Sequence, residues 1–330
     1  MKWQLFASCL SRRAMLGATA VLSAGPALAE ECRLGPAPHE KGARVFMDMD
    51  QQELDASYDQ LAYEPLLSQI TKRLASNSEA MRARIGAPER ESYGPSAAEG
   101  LDIYRTEREN APIFVFIHGG AWLGGAAKDY GYPAEMFVNA GAHYVAVDFI
   151  AIKEAGGDLG IMAKQVRSRR RLGPQERSEI RRRPVAALCG GHSSGGHLCG
   201  VVLVTDWQKE FGLAPNIIKG GLCMSGMYEM KPVALSARRN YVKFTGAMED
   251  SMSAIRHIDQ LHAPITVTYG TFETPDFQRQ SREFAAAVKM AGKSVQLIEA
   301  PNYAHLEMCE SLGNPYGANG RAALEMMKLK

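Results

Sequence analysis

Gly191, His192, Ser193, Ser194 and Gly195 satisfy G-x-S-x-G. In that pattern a serine rides a sharp turn from strand to helix, and the flanking glycines admit the strained backbone that thrusts its hydroxyl out of the sheet. A serine hydroxyl attacks a carbonyl only when a base takes its proton and fixed donors stabilise the charge developing on the carbonyl oxygen. Alone, the five residues also describe a plain glycine turn before a helix. A second motif, about seventy residues upstream, favours the chemical reading. Phe116, Ile117, His118, Gly119, Gly120, Ala121 and Trp122 end an apolar run in two glycines, so the N–H groups of Gly119 and Gly120 can approach a ligand closely. Together with the N–H of Ser194 they form the expected oxyanion hole. His118, Trp122 and His192 stand inside the two motifs, where they shape the loops and are candidate substrate contacts.

When a serine sits on such a turn, the acid and then the histidine follow it in the chain. His197 lies in the first turns of the helix after Ser193 and has no evident proton-transfer role. His257 and His262 flank a turn before a strand and read as surface or capping residues. His305 follows the last strand signal in the loop Ala300, Pro301, Asn302, Tyr303, Ala304, which can carry an imidazole over the sheet edge. For the acid, the run Ile265 to Tyr269 leads into Gly270, Thr271, Phe272 and Glu273. Glu273 is the expected carboxylate and Asp276 its alternative; either could instead cap the helix that starts near Phe277. The carboxylate would hold the histidine tautomer and stabilise the imidazolium without taking the proton.

These residues need a scaffold. Five apolar or β-branched runs, Ile113 to Ile117, Tyr144 to Asp148, Ile218 to Met224, Ile265 to Tyr269 and Val295 to Ile298, predict strands. Helical patterns at Leu198 to Trp207, Phe277 to Ala291 and Gly320 to Leu329 alternate with them. The alternation predicts an α/β chain with a mostly parallel central sheet covered by helices on both faces, its site at the carboxyl ends of the strands. Residues Asp48 to Ile85 look helical, with Leu54, Tyr58 and Leu61 on one face, and are expected to form a small N-terminal cap at the edge of the site.

The run Gly270 to Phe284, with Glu273, Thr274, Pro275, Asp276 and Phe277 followed by Arg279, Gln280, Ser281, Arg282 and Glu283, resembles the acid-bearing segment of the kynurenine formamidases. Together with His118 to Trp122, Gly191 to Leu198 and the loop before His305, the chain resembles the arylformamidase-like branch of the esterase/lipase α/β-hydrolases over roughly residues 48 to 328. The resemblance implies Ser193 as nucleophile, His305 as base, and Glu273 as acid where the family more often has Asp. It implies no cofactor and no metal.

Residues 1–29 read as a cleavable export signal: a cationic start, an apolar stretch from Ala14 to Leu22, and a small-residue exit at Ala27, Leu28 and Ala29. Ser11, Arg12, Arg13, Ala14, Met15 and Leu16 resemble the twin-arginine signal, which implies the twin-arginine export machinery as a partner and a periplasmic address. Residues 30–47 read as a linker and 48–330 as one domain. Formylkynurenine hydrolysis belongs to cytoplasmic tryptophan breakdown, so the expectation for an exported relative is a small-molecule ester or amide; N-formyl aromatic amines are the alternative. No segment approaches the roughly twenty apolar residues a membrane helix needs, so stable membrane insertion is not expected. With 38 Lys+Arg against 36 Asp+Glu among 330 residues, the charge excess is too small for a dedicated nucleic-acid binder. After signal removal Cys32, Cys189, Cys199, Cys223 and Cys309 remain, an odd number without metal-ligand spacing, and the three in apolar runs read as small buried hydrophobes.

One stretch conflicts with the fold. Between Val166 and Leu188, where a helix and the strand feeding Ser193 belong, stand eight arginines: Arg167, Arg169, Arg170, Arg171, Arg177, Arg181, Arg182 and Arg183. Gly173 and Pro174 interrupt any solvated basic helix, and Pro184 to Cys189 makes a weak central strand. GC-rich codons can be chosen for Arg169 to Leu188 so that a one-base shift spells an amphipathic helix ending in Gly-Gly-Asp-Pro, which the resemblance would place there. The hypothesis is a shifted reading frame across this window. An undisturbed coding sequence for the arginines would refute it and would leave a fold member damaged beneath its nucleophile turn.

Overall fold

The computed structural model describes residues 35–168 and 187–329. The export signal, residues 30–34 of the linker and residues 169–186 of the arginine window lie outside the described residues. Eight strands form one sheet: β1 (Glu89–Ser92), β2 (Gly100–Tyr104), β3 (Ile113–Ile117), β4 (His143–Val147), β5 (Ala187–His192), β6 (Gly220–Met224), β7 (Ile265–Gly270) and β8 (Val295–Ala300). Their order is β1-β2-β4-β3-β5-β6-β7-β8. The pairs from β4 through β8 are parallel, and β1 and β2 add an antiparallel edge.

Alternating side chains along the central strands feed two cores on opposite faces, as the two-residue period of a strand requires. On β6, Cys223 joins one cluster with Ile117, Cys189, Leu198 and Phe284, while Leu222 and Met224 join the other with Phe114, Phe116, Phe137 and Tyr144. Both faces are therefore covered, which is why β3, β5 and β6 lack an exposed polar alternation. The helix Ser194–Leu203 is buried along all ten residues, so it carries an apolar surface all round and no amphipathic stripe.

Several expectations are corrected in detail. The helix expected from Leu198 to Trp207 begins at Ser194 and ends at Leu203, with Asp206 capping a separate short helix, Trp207–Phe211. The strand drawn from Pro184 to Cys189 is described from Ala187 and runs on to His192. The helical reading of Asp48 to Ile85 resolves into Gln51–Ala56, a 3-10 turn at Gln60–Ala62, and Leu67–Ile85. Leu54 and Tyr58 are buried, whereas Leu61 is 58% exposed because the chain leaves helical geometry after Ala56 and the assumed single face no longer exists. Arg167, the one window arginine within the described residues, lies mostly buried and pairs with Glu210 at 3.0 Å. No helix among the described residues is long and apolar enough to cross a membrane.

Candidate active site

The parallel register of β3 on β5 sets Ile117 beside Gly191, so the loop after β3 emerges next to the turn after β5. Ser193 occupies that turn with φ 58°, ψ −124°, a left-handed-side backbone that costs energy for any residue with a Cβ. The surrounding packing holds the strain in place. A Cβ at Gly195 would stand 2.1 Å from Ile117 O and 2.4 Å from His118 O, so only glycine lets the helix start press against the β3 loop. Ser193 N–H donates to Met224 O at 3.0 Å, tying the turn to β6 as well.

Around Ser193 lie backbone donors with nothing to donate to. Among the described residues the N–H groups of Gly119, Gly120 and Ser194 have no acceptor; Ser194, as the first helical residue, has no intrahelical carbonyl to reach. Ala121 and Trp122 both adopt positive φ, 55° and 62°, curling the loop, and Trp122 N–H donates to Ser194 Oγ at 3.2 Å. That bond clamps the glycine loop to the helix start.

Glu273 and His305 come from the next two strand ends. β7 ends at Gly270 and β8 at Ala300, directly paired. The loop carrying His305 crosses so close that a Cβ at Gly270 would meet Tyr303 O at 2.1 Å. His305 Nδ1 lies 3.0 Å from Glu273 Oε2, both side chains almost wholly buried. Glu273 Oε1 accepts from Ser225 Oγ at 2.6 Å and from Gly270 N–H at 2.7 Å. Burial raises the Glu273 carboxyl above its ordinary range, opposed by those two bonds. Burial, with the nearby Arg238 charge adding to it, lowers His305 below an ordinary imidazole, so the ring is neutral at pH 7. With Nδ1–H given to Glu273, Nε2 carries the lone pair.

His305 Nε2 is buried without a partner, and the Ser193 hydroxyl makes no hydrogen bond to a described residue. His192, adjacent to Ser193, bridges the two segments: its ring centroid is 4.5 Å from that of His305, and its Nε2–H donates to His305 O at 2.8 Å. Bonds of this kind commonly lengthen in an unliganded site and tighten around substrate.

No family model matches the chain. The kynurenine formamidase of Danio rerio is 30% identical over 281 residues, a match spanning 81% of this chain and 93% of that protein. The chain belongs to the kynurenine formamidase family. The kynurenine formamidase of Salmo salar is 28% identical over 282 residues, again 93% of its length. Among solved structures, a protein of Silicibacter sp. described as a thioesterase superposes with a TM-score of 0.67 at 21% identity, covering 81% of this chain and 97% of that one. An esterase of Thermogutta terrifontis reaches 0.57 at 18% identity, covering 74% and 93%. The fold is that of the α/β-hydrolases, and this family member is a hydrolase of their arylformamidase-like esterase/lipase branch.

Within this formamidase-family site, Asp276, the alternative acid, makes no hydrogen bond to His305 among the described residues. Its carboxylate is consumed by the Tyr58 hydroxyl, by Gln280 Nε2 at 3.0 Å and by Arg279 at 2.6 and 2.8 Å. Neither carboxylate caps the following helix: Thr274 does, accepting from Phe277 N–H and donating to Ser57 O. His118 stacks on Phe149 at 4.4 Å and bonds Gly119 O through Nδ1, shaping the loop. His197 Nε2–H donates to Met252 O, and its ring meets the Trp122 ring edge-on at 5.2 Å. His257 bonds Asp250 O near the surface, and His262 is exposed. The cysteines at 189, 199, 223 and 309 are buried and form no disulfide among the described residues.

Three residues near the site escaped sequence reasoning. Ser225 stands one residue past β6, so its place at a strand end was the available signal. Arg238 and Glu64 offered none. The Glu64 carboxylate accepts the Leu306 N–H at 2.9 and 3.2 Å, capping the short helix His305–Glu310 that begins with the imidazole. Burial pushes this carboxyl up to about 7. A folded value above the unfolded one means that its contribution is fully present below about 4.5 and is lost as pH rises through 7. Glu64→Gln is therefore expected to stabilise the protein at pH 8 by about 2 kcal/mol, a gain that vanishes toward pH 4. Thermal melts across that range check it; an equal shift at both ends would contradict the assignment.

Proposed function

We propose that the protein hydrolyses a carboxylic ester or amide of a small molecule through an acyl-enzyme on Ser193. His305 Nε2 takes the hydroxyl proton as Oγ attacks, and Glu273 holds the Nδ1–H tautomer and offsets the imidazolium charge. The N–H groups of Gly119, Gly120 and Ser194 receive the oxyanion. His305 then protonates the leaving group, and water, activated by the same ring, releases the acid. The observation that carries this reading is the 3.0 Å Glu273–His305 bond, made at strand ends beside a strained serine and three unpaired N–H donors. In this proposal the export address in residues 1–29 delivers the enzyme to the periplasm.

The test is a fluorophosphonate probe on the full chain: covalent labelling that disappears in Ser193→Ala supports the reading, and folded protein that does not label refutes it. Deformylation of an N-formyl aromatic amine is a second reading, favoured by the 30% identity to a kynurenine formamidase. Rates on such an amide against a short p-nitrophenyl ester separate the two.

The base must be neutral, so kcat/KM rises with pH as His305 loses its proton. Because burial and the Arg238 charge both lower its pKa, the acid limb is expected below pH 6.5, the ordinary imidazole value. A pH profile of ester hydrolysis with an acid limb at or above 6.5 would contradict the environment described for His305.

A further inference from the structure

The helix His305–Glu310 that begins with the imidazole has six residues, and Ala304 before it offers no side-chain acceptor to the N–H groups of the first turn. Side chains from elsewhere serve instead. The carbonyl of His305 and the N–H of Leu306 belong to one planar peptide group. Its oxygen accepts from His192 Nε2–H at 2.8 Å, a donor on the turn that carries Ser193. Its N–H donates to the two carboxylate oxygens of Glu64, at 2.9 and 3.2 Å, from a residue 242 positions away in the chain. The peptide that leads the imidazole-bearing residue into its helix is thus gripped at both ends by distant segments.

Glu64 is itself firmly held. It lies between the 3-10 turn Gln60–Ala62 and the helix Leu67–Ile85, and only 3% of it is exposed. Its N–H donates to Gln60 O at 2.8 Å and its carbonyl accepts from Leu67 N–H at 3.0 Å, so its backbone is fixed on either side. The helix Leu67–Ile85 also reaches the far end of the short helix, where Arg73 meets Glu310 at 2.5 and 2.6 Å. An exposed pair of this kind contributes little alone, but with Glu64 it spans the short helix from first turn to last.

A planar group anchored at both ends cannot turn about the chain, so the direction in which the His305 side chain leaves the backbone is set before the ring makes any contact. Glu273 then fixes Nδ1 at 3.0 Å, and the Phe277 ring stands edge-on to the imidazole at 4.9 Å. The place of Nε2 therefore depends on Glu273 through the ring and on Glu64 through the main chain.

We infer that Glu64 is a positioning residue for the proposed base: opposite His192, its carboxylate aligns His305 Nε2 on Ser193, which makes the N-terminal cap part of the support of the proton relay. The inference rests on the proposed acyl-enzyme chemistry for its kinetic readout; its spectroscopic readout is independent of that chemistry.

In the kinetic experiment Glu64→Leu, which keeps apolar bulk and removes the acceptor, is expected to lower kcat on a short p-nitrophenyl ester by about 10²-fold with KM within about threefold, the cost of misplacing a catalytic group by about 1 Å. Glu64→Gln lacks the charge but keeps an acceptor oxygen, and is expected to recover about tenfold of that loss, which separates the acceptor from the charge. A cap that only stabilises the fold would lower the melting temperature and leave kcat of the folded enzyme unchanged. That result in Glu64→Leu, or equal losses in the two variants, overturns the inference. If Glu64→Leu gives no cooperative melt, Glu64→Asp, which withdraws the carboxylate by one methylene, is expected to lower kcat about tenfold; an unchanged kcat overturns it. The spectroscopic experiment follows the His305 Nδ1 proton by NMR of the labelled full chain. A slowly exchanging downfield signal is expected in the wild type and in Glu64→Gln, and its broadening or loss in Glu64→Leu. Absence of the signal from the wild type, or an unchanged signal in Glu64→Leu, overturns the positioning role even if the fluorophosphonate probe labels Ser193. Loss of the signal in Glu64→Leu of a protein the probe never labels supports the positioning role and refutes the proposed chemistry.

Discussion

Ser193→Ala is expected to lower kcat on a short p-nitrophenyl ester by about 10⁶-fold with little change in melting temperature. The magnitude follows from removing the proposed covalent step. Ser194 Oγ accepts from Trp122 N–H and sits one residue into the helix, so it is held away from the role. What remains should be roughly 10³-fold over the uncatalysed reaction, contributed by the N–H groups of Gly119, Gly120 and Ser194 and by binding alone. Stability should hold because the turn is fixed by the glycine contacts and by the Ser193 N–H to Met224 O bond, none of which needs the hydroxyl. Matched turnover assays and melts decide it. A loss smaller than about 10²-fold in a folded variant would mean that the hydroxyl is not the attacking group.

The sequence exposed the parts of this site whose partners are near in the chain or whose backbone demands a rare residue type. The glycines of both motifs were legible because the helix start and the β3 loop touch main chain to main chain, which no side chain allows. Glu273 was legible because it lies three residues beyond Gly270 and bonds that residue's own N–H. The parallel strands β3, β4, β6 and β7 showed themselves as apolar runs because both of their faces are covered, whereas the edge strand β8, with Gln296, Leu297 and Glu299 exposed, showed itself only by its Val295, Leu297 and Ile298. The edge strand β1 did not: Glu89, Arg90, Glu91 and Ser92 are largely exposed, so no burial period marks them. β2 was hidden by its glycine start and its Asp102, which is buried only because Arg90 reaches it at 2.7 Å. Long-range polar contacts left no local trace. Ser225 and Glu273 are 48 residues apart, and Glu64 and Leu306 are 242 apart. Arg238 looks in sequence like any surface arginine beside Arg239; only the packing of Tyr58 and Trp122 around it reveals its burial.

Glu273→Gln is expected to lower kcat by about 10⁴-fold, although the side chain keeps its size and burial. The reason lies in the two donors on Oε1. Ser225 Oγ–H at 2.6 Å and Gly270 N–H at 2.7 Å both require an acceptor, so the single amide oxygen of the glutamine must face them. Its NH2 group is then turned toward His305 Nδ1. A donor at that position forces Nδ1 to accept and moves the ring proton to Nε2, the atom that takes the Ser193 proton in the proposed mechanism. The imidazole remains in place but in the wrong tautomer. The negative charge that would offset the imidazolium is lost as well, and Arg238 then opposes the developing cation without a carboxylate to balance it. Nitrogen chemical shifts of the labelled ring should show the proton exchanged between Nδ1 and Nε2, and kcat should fall far more than KM rises. Ser225→Ala combined with Glu273→Gln removes one of the two donors and so weakens the bias, which is expected to recover part of the lost rate. A Glu273→Gln enzyme within tenfold of wild type would show that the 3.0 Å contact with His305 orients nothing in the reaction.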